Sequence, residues 1–225
     1  MNQGYRHEIK FLISAADARL LKIRLPHIME RDPHAGPTGQ YTIRSLYFDD
    51  FTHSAFDEKI DGINKRSKYR IRCYNYDTAV LKLEKKEKLG SLTKKTAQTI
   101  SLPQAMDLQQ LRHRDAPKTT LLRELEDKIL REGVRPRVLV DYDRTPFLCR
   151  DGNTRITLDE NLRTRLFCGN LLASHHGMIH VMEPGQVILE VKYDDFLPGY
   201  LADALADIPK VNLAISKFAL CMNLM

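Results

Sequence analysis

The sequence predicts an α+β domain dominated by antiparallel strands. Three observations carry this. First, five short stretches place charged residues on every second position with apolar or neutral residues between: 5–11 (YRHEIKF), 68–74 (KYRIRCY), 81–86 (LKLEKK), 154–159 (TRITLD) and 188–193 (ILEVKY). Strand side chains alternate between faces, so each stretch offers one charged and one mostly apolar face. Second, the central strands follow one another through short turns, as in a β-meander. No internal repeat, low-complexity tract or long linker divides the chain, so residues 1–225 are expected to form a single domain. Third, the helical stretches carry apolar stripes that need a surface, and the apolar strand faces supply one.

In chain order, the first strand leads to Ser14, an N-cap with Asp17 as its partner three residues on. Leu20, Leu21, Ile23 and Leu25 make that helix's stripe, and Pro26 kinks or ends it. Residues 34–39 (HAGPTG) read as a loop. Tyr41 to Asp49 reads as a strand, followed by a polar connection and the strand of Arg70 and Arg72. A turn near 75–78 leads to the strand of Glu84 and Lys86, and residues 88–91 turn into a strand over about 92–100. Pro103 suits the first position of a helix, and a clearer helix over about 119–131 stops at Gly133. Strands at 138–144 and 155–159 flank a turn at Asp151-Gly152, and 187–193 is the last clear strand. Residues 198–206 and 214–224 look helical.

Composition narrows the partners. Hydrophobic residues make up 43%, as in ordinary globular proteins. The net charge of +6 points to anionic partners. Cys73, Cys149, Cys168 and Cys221 form no C-x-x-C pair and read as free thiols in a reducing compartment. With no apolar run of about 18 residues and no signal-peptide core at the N-terminus, a soluble cytoplasmic protein is expected. His175, His176 and His180 fit no zinc-helix spacing, and Gly177 marks a turn, so that segment reads as a loop. The acidic pairs Asp49-Asp50 and Asp194-Asp195 read as turn residues.

If the sheet closes into a barrel with the helices outside, the charged strand faces converge on its lumen. A lumen crowded with Arg and Lys is costly when empty and makes sense around a polyanion with metal ions. Arg forks match phosphate oxygens and Lys supplies point charges. Three E-x-K pairs, Glu8/Lys10, Glu84/Lys86 and Glu190/Lys192, each put acid and base on one strand face, as metal-assisted phosphate binding requires.

Glu8-x-Lys10, residues 45–49 (SLYFD), Arg66-x-Lys68-Tyr69-Arg70-x-Arg72 and Leu83-Glu84-x-Lys86 occur in this order, followed by Tyr142-x-Arg144, residues 155–159 (RITLD), Leu189-Glu190-Val191-Lys192 and Ser216-Lys217-Phe218. The combination resembles VTC domains, the polyphosphate polymerase domains of the vacuolar transporter chaperone, within the triphosphate tunnel metalloenzyme (CYTH-like) superfamily. The resemblance runs from Glu8 to Lys217. It implies a closed antiparallel β-barrel with helices packed outside, forming a tunnel lined by Arg70, Arg72, Lys86, Arg144 and Arg155 as catalytic cations. Lys10, Lys94, Lys192 and Lys217 would be phosphate ligands, with Lys95 as the alternative to Lys94. Glu190 would be the principal ligand for Mn²⁺ or Mg²⁺, with Glu8 and Glu84 beside it. The implied reaction passes the ATP γ-phosphoryl to a growing polyphosphate chain. If water takes the acceptor's place, the protein is a triphosphatase of inorganic or organic triphosphates; without turnover it is a polyphosphate-binding module. No nucleic acid is expected, since the chain has no Trp and its Tyr residues suit barrel packing. The absence of a membrane span argues against translocation of a product by the chain itself and leaves room for a separate membrane partner.

Overall fold

The computed structural model describes residues 5–90, 92–113, 119–166, 168–209, 211–212 and 215–224. In chain order the elements are β1 (Tyr5–Ser14), α1 (Ala15–Arg24), β2 (Glu30–Arg31), β3 (Tyr41–Asp49), α2 (Ser54–Ile60), β4 (Lys65–Tyr74), β5 (Asp77–Leu89), β6 (Leu92–Ile100), α3 (Leu102–Gln109), α4 (Thr120–Glu132), β7 (Arg135–Cys149), β8 (Thr154–Leu166), β9 (Ile179–His180), β10 (Gln186–Tyr193), α5 (Gly199–Ala204), β11 (Val211–Asn212) and α6 (Lys217–Met222). Every pairing among them is antiparallel. Neighbours run β7-β3-β4-β5-β6-β1-β10-β8, and β8 pairs back onto β7, so these eight strands form a ring. No described helix is long and apolar enough to cross a membrane.

Local chemistry sets the boundaries. Ser14 caps α1 through its Oγ, which accepts from the Asp17 backbone N–H at 3.1 Å, and Pro26 then sits in a single 3₁₀ turn. Ser101 and Gln104 cap α3 reciprocally, so that Pro103 stands second in the helix rather than first. Gly133 closes α4 in the left-handed region at φ 68°. The connection after β3 contains α2, whose first N–H groups are taken by carboxylates: Ala55 donates to Asp49 at 2.9 Å and Ser54 to Asp50 at 3.0 Å. The Asp49-Asp50 pair is thus a helix cap. The turn at 88–91 includes Gly90 at φ 58°; Ser91 lies outside the described residues. The final helix begins at Lys217; Ala214, where its start is predicted, also lies outside them.

The outward apolar faces are covered as expected. Leu46, Phe48, Ile71 and Leu83 pack under α3 and α4 through Leu108, Leu121, Leu122 and Leu125. Ile156, Leu158, Leu189 and Val191 pack under α1 and α5 through Ala18, Leu21 and Leu201. One helix departs from the prediction. Phe218, Cys221 and Met222 of α6 pack against Ile43, Tyr47, Val138, Val140 and Tyr142, which project from the opposite face of β3 and β7. The last helix therefore packs within the ring, since its aromatic and thiol side chains find their apolar partners there.

Away from this interior, Arg44 and Asp141 form a pair with side chains 4% and 0% exposed. The guanidinium donates to Asp141 at 2.8 Å and to the carbonyls of Leu171 and Ala173 at 3.2 and 2.5 Å, and it lies 4.5 Å from the Tyr76 ring centre. That pair ties the segment after β8 to the sheet.

Candidate functional site

Strand register decides which side chains meet inside the ring, because directly opposed residues share a face. Across β1 and β10, Glu8 opposes Lys192 and Lys10 opposes Glu190. Lys192 opposes Arg155 across β10 and β8, and Arg144 opposes Asp159 across β7 and β8. Tyr47 opposes Arg70 and Ser45 opposes Arg72 across β3 and β4. Arg70 opposes Glu84, Lys68 opposes Lys86, and Lys86 opposes Lys95. The result is a cavity of about 350 Å³ whose described lining includes eleven Lys or Arg side chains and two Glu. That surplus of positive charge makes it an anion site.

The predicted residues Lys10, Arg70, Arg72, Lys86, Arg144, Arg155, Lys192, Lys217, Glu8 and Glu190 all line this cavity. Lys94 does not. It opposes Glu87, one position out of phase with Lys86, and Lys95 takes the inward place. Glu84 is also displaced from the lining: it is 1% exposed and lies among guanidinium groups, accepting from Arg70 at 2.6 Å and lying 3.6 Å from Arg72 and 3.2 Å from Lys95. It acts on the arginines rather than on a cavity ligand. Asp159, Lys68, Tyr47 and Tyr142, which stand in the quoted motifs without an assigned role, join the site. The first two follow the same alternation, Arg155-Thr157-Asp159 and Lys68-Arg70-Arg72, so the signal was present.

Carboxylates hold these cations in place. Asp159 accepts both fork nitrogens of Arg144 at 2.6 and 2.7 Å and the Lys217 ammonium at 2.6 Å. Glu190 accepts from Lys192 at 2.8 Å and Arg144 at 3.1 Å. Glu8 accepts from Lys10 at 2.8 Å and Lys86 at 2.7 Å. Arg70 and Arg155 donate to the Tyr47 and Tyr41 hydroxyls at 2.6 and 2.7 Å. The buried Arg155 Nε and Thr157 Oγ1 have no hydrogen-bond partner among the described residues, leaving donor capacity for a ligand.

Burial works against charge on every one of these carboxyls, yet the cations prevail. Lys86, Lys10 and Lys192 hold Glu8 below the usual carboxylate range against burial and the Glu190 charge. Burial likewise opposes the lowering of Glu190 by Lys192, Lys10 and Arg144, of Glu84 by Arg70 and Arg72, and of Asp159 by Arg144 and Lys217. Since their folded values lie below the unfolded ones, the stability they contribute is complete above the unfolded values and lost as pH falls through the folded ones. The melting temperature should therefore fall steadily as pH drops below about 4.5. A melting temperature unchanged between pH 6 and 3 would contradict this network.

Two carboxylates, Glu190 and Glu8, face the cavity from adjacent strands and are ionised at neutral pH. Among the described residues no cluster of three or more His, Cys, Asp or Glu forms a metal cage. This donor set fits a hard cation that keeps water and shares the oxygens of an anionic ligand, the habit of Mg²⁺ and Mn²⁺. His175 instead lies against His176 and against Tyr76, with ring centres 4.3 and 5.8 Å apart and both pairs tilted.

The model of one family, the VTC domain, matches residues 5–225. No curated protein matches the chain. Among solved structures, a Hippeastrum protein described as having a dominant triphosphatase activity is similar at a TM-score of 0.56 and 16% identity, over 97% of this chain and 95% of that one. The Schizosaccharomyces pombe Mediator head module matches at 0.50 and 9% identity, over 93% and 100%. A candidate adenylate cyclase from Bacillus halodurans reaches 0.49 and 15%, over 91% and 89%. At such identities the likeness is one of fold.

Proposed function

Because the chain belongs to the VTC domain family, we propose that it is a polyphosphate polymerase, transferring the ATP γ-phosphoryl to a phosphate chain inside a closed-barrel tunnel. The observation that carries this reading is the cavity itself, with eleven Lys or Arg side chains facing two ionised glutamates. A triphosphate fits its chemistry: Arg70, Arg72, Arg144 and Arg155 present planar forks to phosphoryl oxygens, and Lys10, Lys192 and Lys217 supply point charges. Lys95 takes the phosphate-ligand role expected of Lys94.

Glu190, with Glu8, would hold Mn²⁺ or Mg²⁺, which when bound neutralises phosphoryl charge and orients the oxygens. The remaining work falls to the chain's own side chains. Asp159 fixes the plane of Arg144, and Glu84 fixes Arg70, so the donors need little reorganisation as charge builds on the transferred group. A phosphate acceptor is already an oxyanion and needs no general base; charge neutralisation and alignment then supply the rate. The cytoplasm is the compartment proposed, with any membrane partner a separate protein.

The triphosphatase reading is favoured by the activity described for the Hippeastrum protein of like fold. One fold hosts many functions, so it is the residues of the cavity that argue for catalysis. Purified protein incubated with ATP and Mn²⁺ separates the readings by gel electrophoresis and phosphorus NMR. A ladder of phosphate chains with ADP, absent in Glu190→Gln, is the expected result. Orthophosphate without chains would make it a triphosphatase. Polyphosphate binding without turnover would make it a binding module.

A further inference from the structure

Among the described residues, the lysines of the cavity are paired with carboxylates with one exception. Lys10 and Lys86 lie 2.8 and 2.7 Å from Glu8, Lys192 2.8 Å from Glu190, Lys217 2.6 Å from Asp159 and Lys95 3.2 Å from Glu84. Lys68 instead meets the Ser216 hydroxyl at 3.3 Å and lies 4.3 Å from the centre of the Phe218 ring. No ion pair joins it to a carboxylate among the described residues. It lines both the central cavity and an adjoining one of about 330 Å³, so it stands at the neck between them.

The charges that bear on Lys68 come from each element around the neck. Lys59 of α2, Arg66 of its own strand, Lys86 across the β4–β5 pairing and Lys10 of β1 are all basic, and burial and Lys10 push Lys86 itself down to about 7. Lys88 of β5 shares the adjoining space. Glu8, the acid there, is taken up by Lys10 and Lys86. At α6 the neck is formed by Ser216 and Phe218, while the Lys217 ammonium is turned to Asp159. An ammonium so placed has neither water's full solvation nor a counter-ion, and the uncharged amine is the favoured form. Burial and the surrounding cations push Lys68 down to about 6.

We propose that Lys68 is a proton-linked phosphate ligand: a neutral amine in the empty cavity that takes up one proton when a phosphate oxygen supplies its missing counter-ion. The proton comes from solvent and settles on Nζ; no other bond forms or breaks. This inference rests on the phosphate-polymer reading of the same site and gives that site a means of telling its occupied from its empty state. Linkage fixes the sign. Below the empty-state value the amine is already charged and no proton is needed. Above it, uptake approaches one proton and affinity falls as pH rises.

Titration calorimetry with inorganic tripolyphosphate in EDTA, in two buffers of different ionisation enthalpy, counts the protons. At pH 8 the unaltered protein should take up about one proton more than Lys68→Arg, whose guanidinium is charged throughout. Making the comparison in a Lys86→Arg background keeps the neighbouring amine, which is coupled to Lys68, from contributing to the difference. Tripolyphosphate binding with equal uptake in both proteins would overturn the proposal. Failure of the unaltered protein to bind tripolyphosphate would overturn the phosphate reading itself. A second measurement is independent of any ligand: the Lys68 side-chain resonance, identified by its loss in Lys68→Arg, should titrate near pH 6 in the empty protein. Titration in the ordinary lysine range near 10.4 would also refute it.

Discussion

Arg72→Ala is expected to lower turnover by about 10²–10³-fold, the loss that follows removal of one preorganised donor from a developing oxyanion. The residue is built for that role. Its side chain is 7% exposed and lines the cavity, and among the described residues it is held by weak contacts: Ser45 Oγ at 3.4 Å, the Tyr142 hydroxyl at 3.3 Å and Glu84 at 3.6 Å. Its donor capacity is therefore left for a ligand. Alanine at this position does not strand Glu84, which keeps Arg70 at 2.6 Å and Lys95 at 3.2 Å, so the fold should survive. Steady-state rates on ATP, read beside circular dichroism and a thermal melt, separate the two effects. Unchanged turnover in a folded Arg72→Ala protein would remove this arginine from the machinery.

The largest loss of stability should come from a residue outside the cavity. Asp141→Ala leaves the Arg44 guanidinium 4% exposed without its carboxylate, and breaking a buried pair from one side typically costs about 3–5 kcal/mol. In a chain of this size that corresponds to a fall of roughly 6–20 °C in melting temperature. The segment holding Leu171 and Ala173 should become more sensitive to protease, since Arg44 anchors both carbonyls. Calorimetry and limited proteolysis test this directly, and a shift below about 2 °C would show that Arg44 finds another partner.

Period-two alternation made the interior legible because charge alternates wherever a strand has one face on the core and one on a polar cavity. The placement of Lys10, Arg70, Arg72, Lys86, Arg155, Glu190 and Lys192 follows from that alternation, whereas that of Arg144 rests on the family resemblance, since Asp141 and Asp143 carry the alternating charge of its strand on the other face. Lys94 misled because two adjacent lysines leave the phase undefined. The hairpin at Gly90 sets the pairing of Lys86 with Lys95, and a shift of one residue exchanges the faces. β7 and β8 run longer than their alternating cores suggest. Pro136 falls beside a register irregularity opposite Phe48, and Pro146 opposes Thr157, so neither proline breaks the strand as its local preference implies. Helix α2 was hidden for a different reason. Its start depends on Asp49 and Asp50 reaching forward to backbone N–H groups, a contact that composition reads only as a turn. The inward position of α6 depended on tertiary packing, since a short stripe of Phe218, Cys221 and Met222 fits either side of a sheet.

The carboxylates that sit among the cavity's cations give the interior the character of an ion-exchange resin whose counter-ions are tethered. Chloride cannot wash such counter-ions away, because each stays at high local concentration beside its partner. A polyvalent anion displaces several at once and gains from every contact while paying the cost of entry a single time. The interior is thus set to ignore the abundant monovalent ions of its surroundings and to respond to valence, whatever chemistry follows.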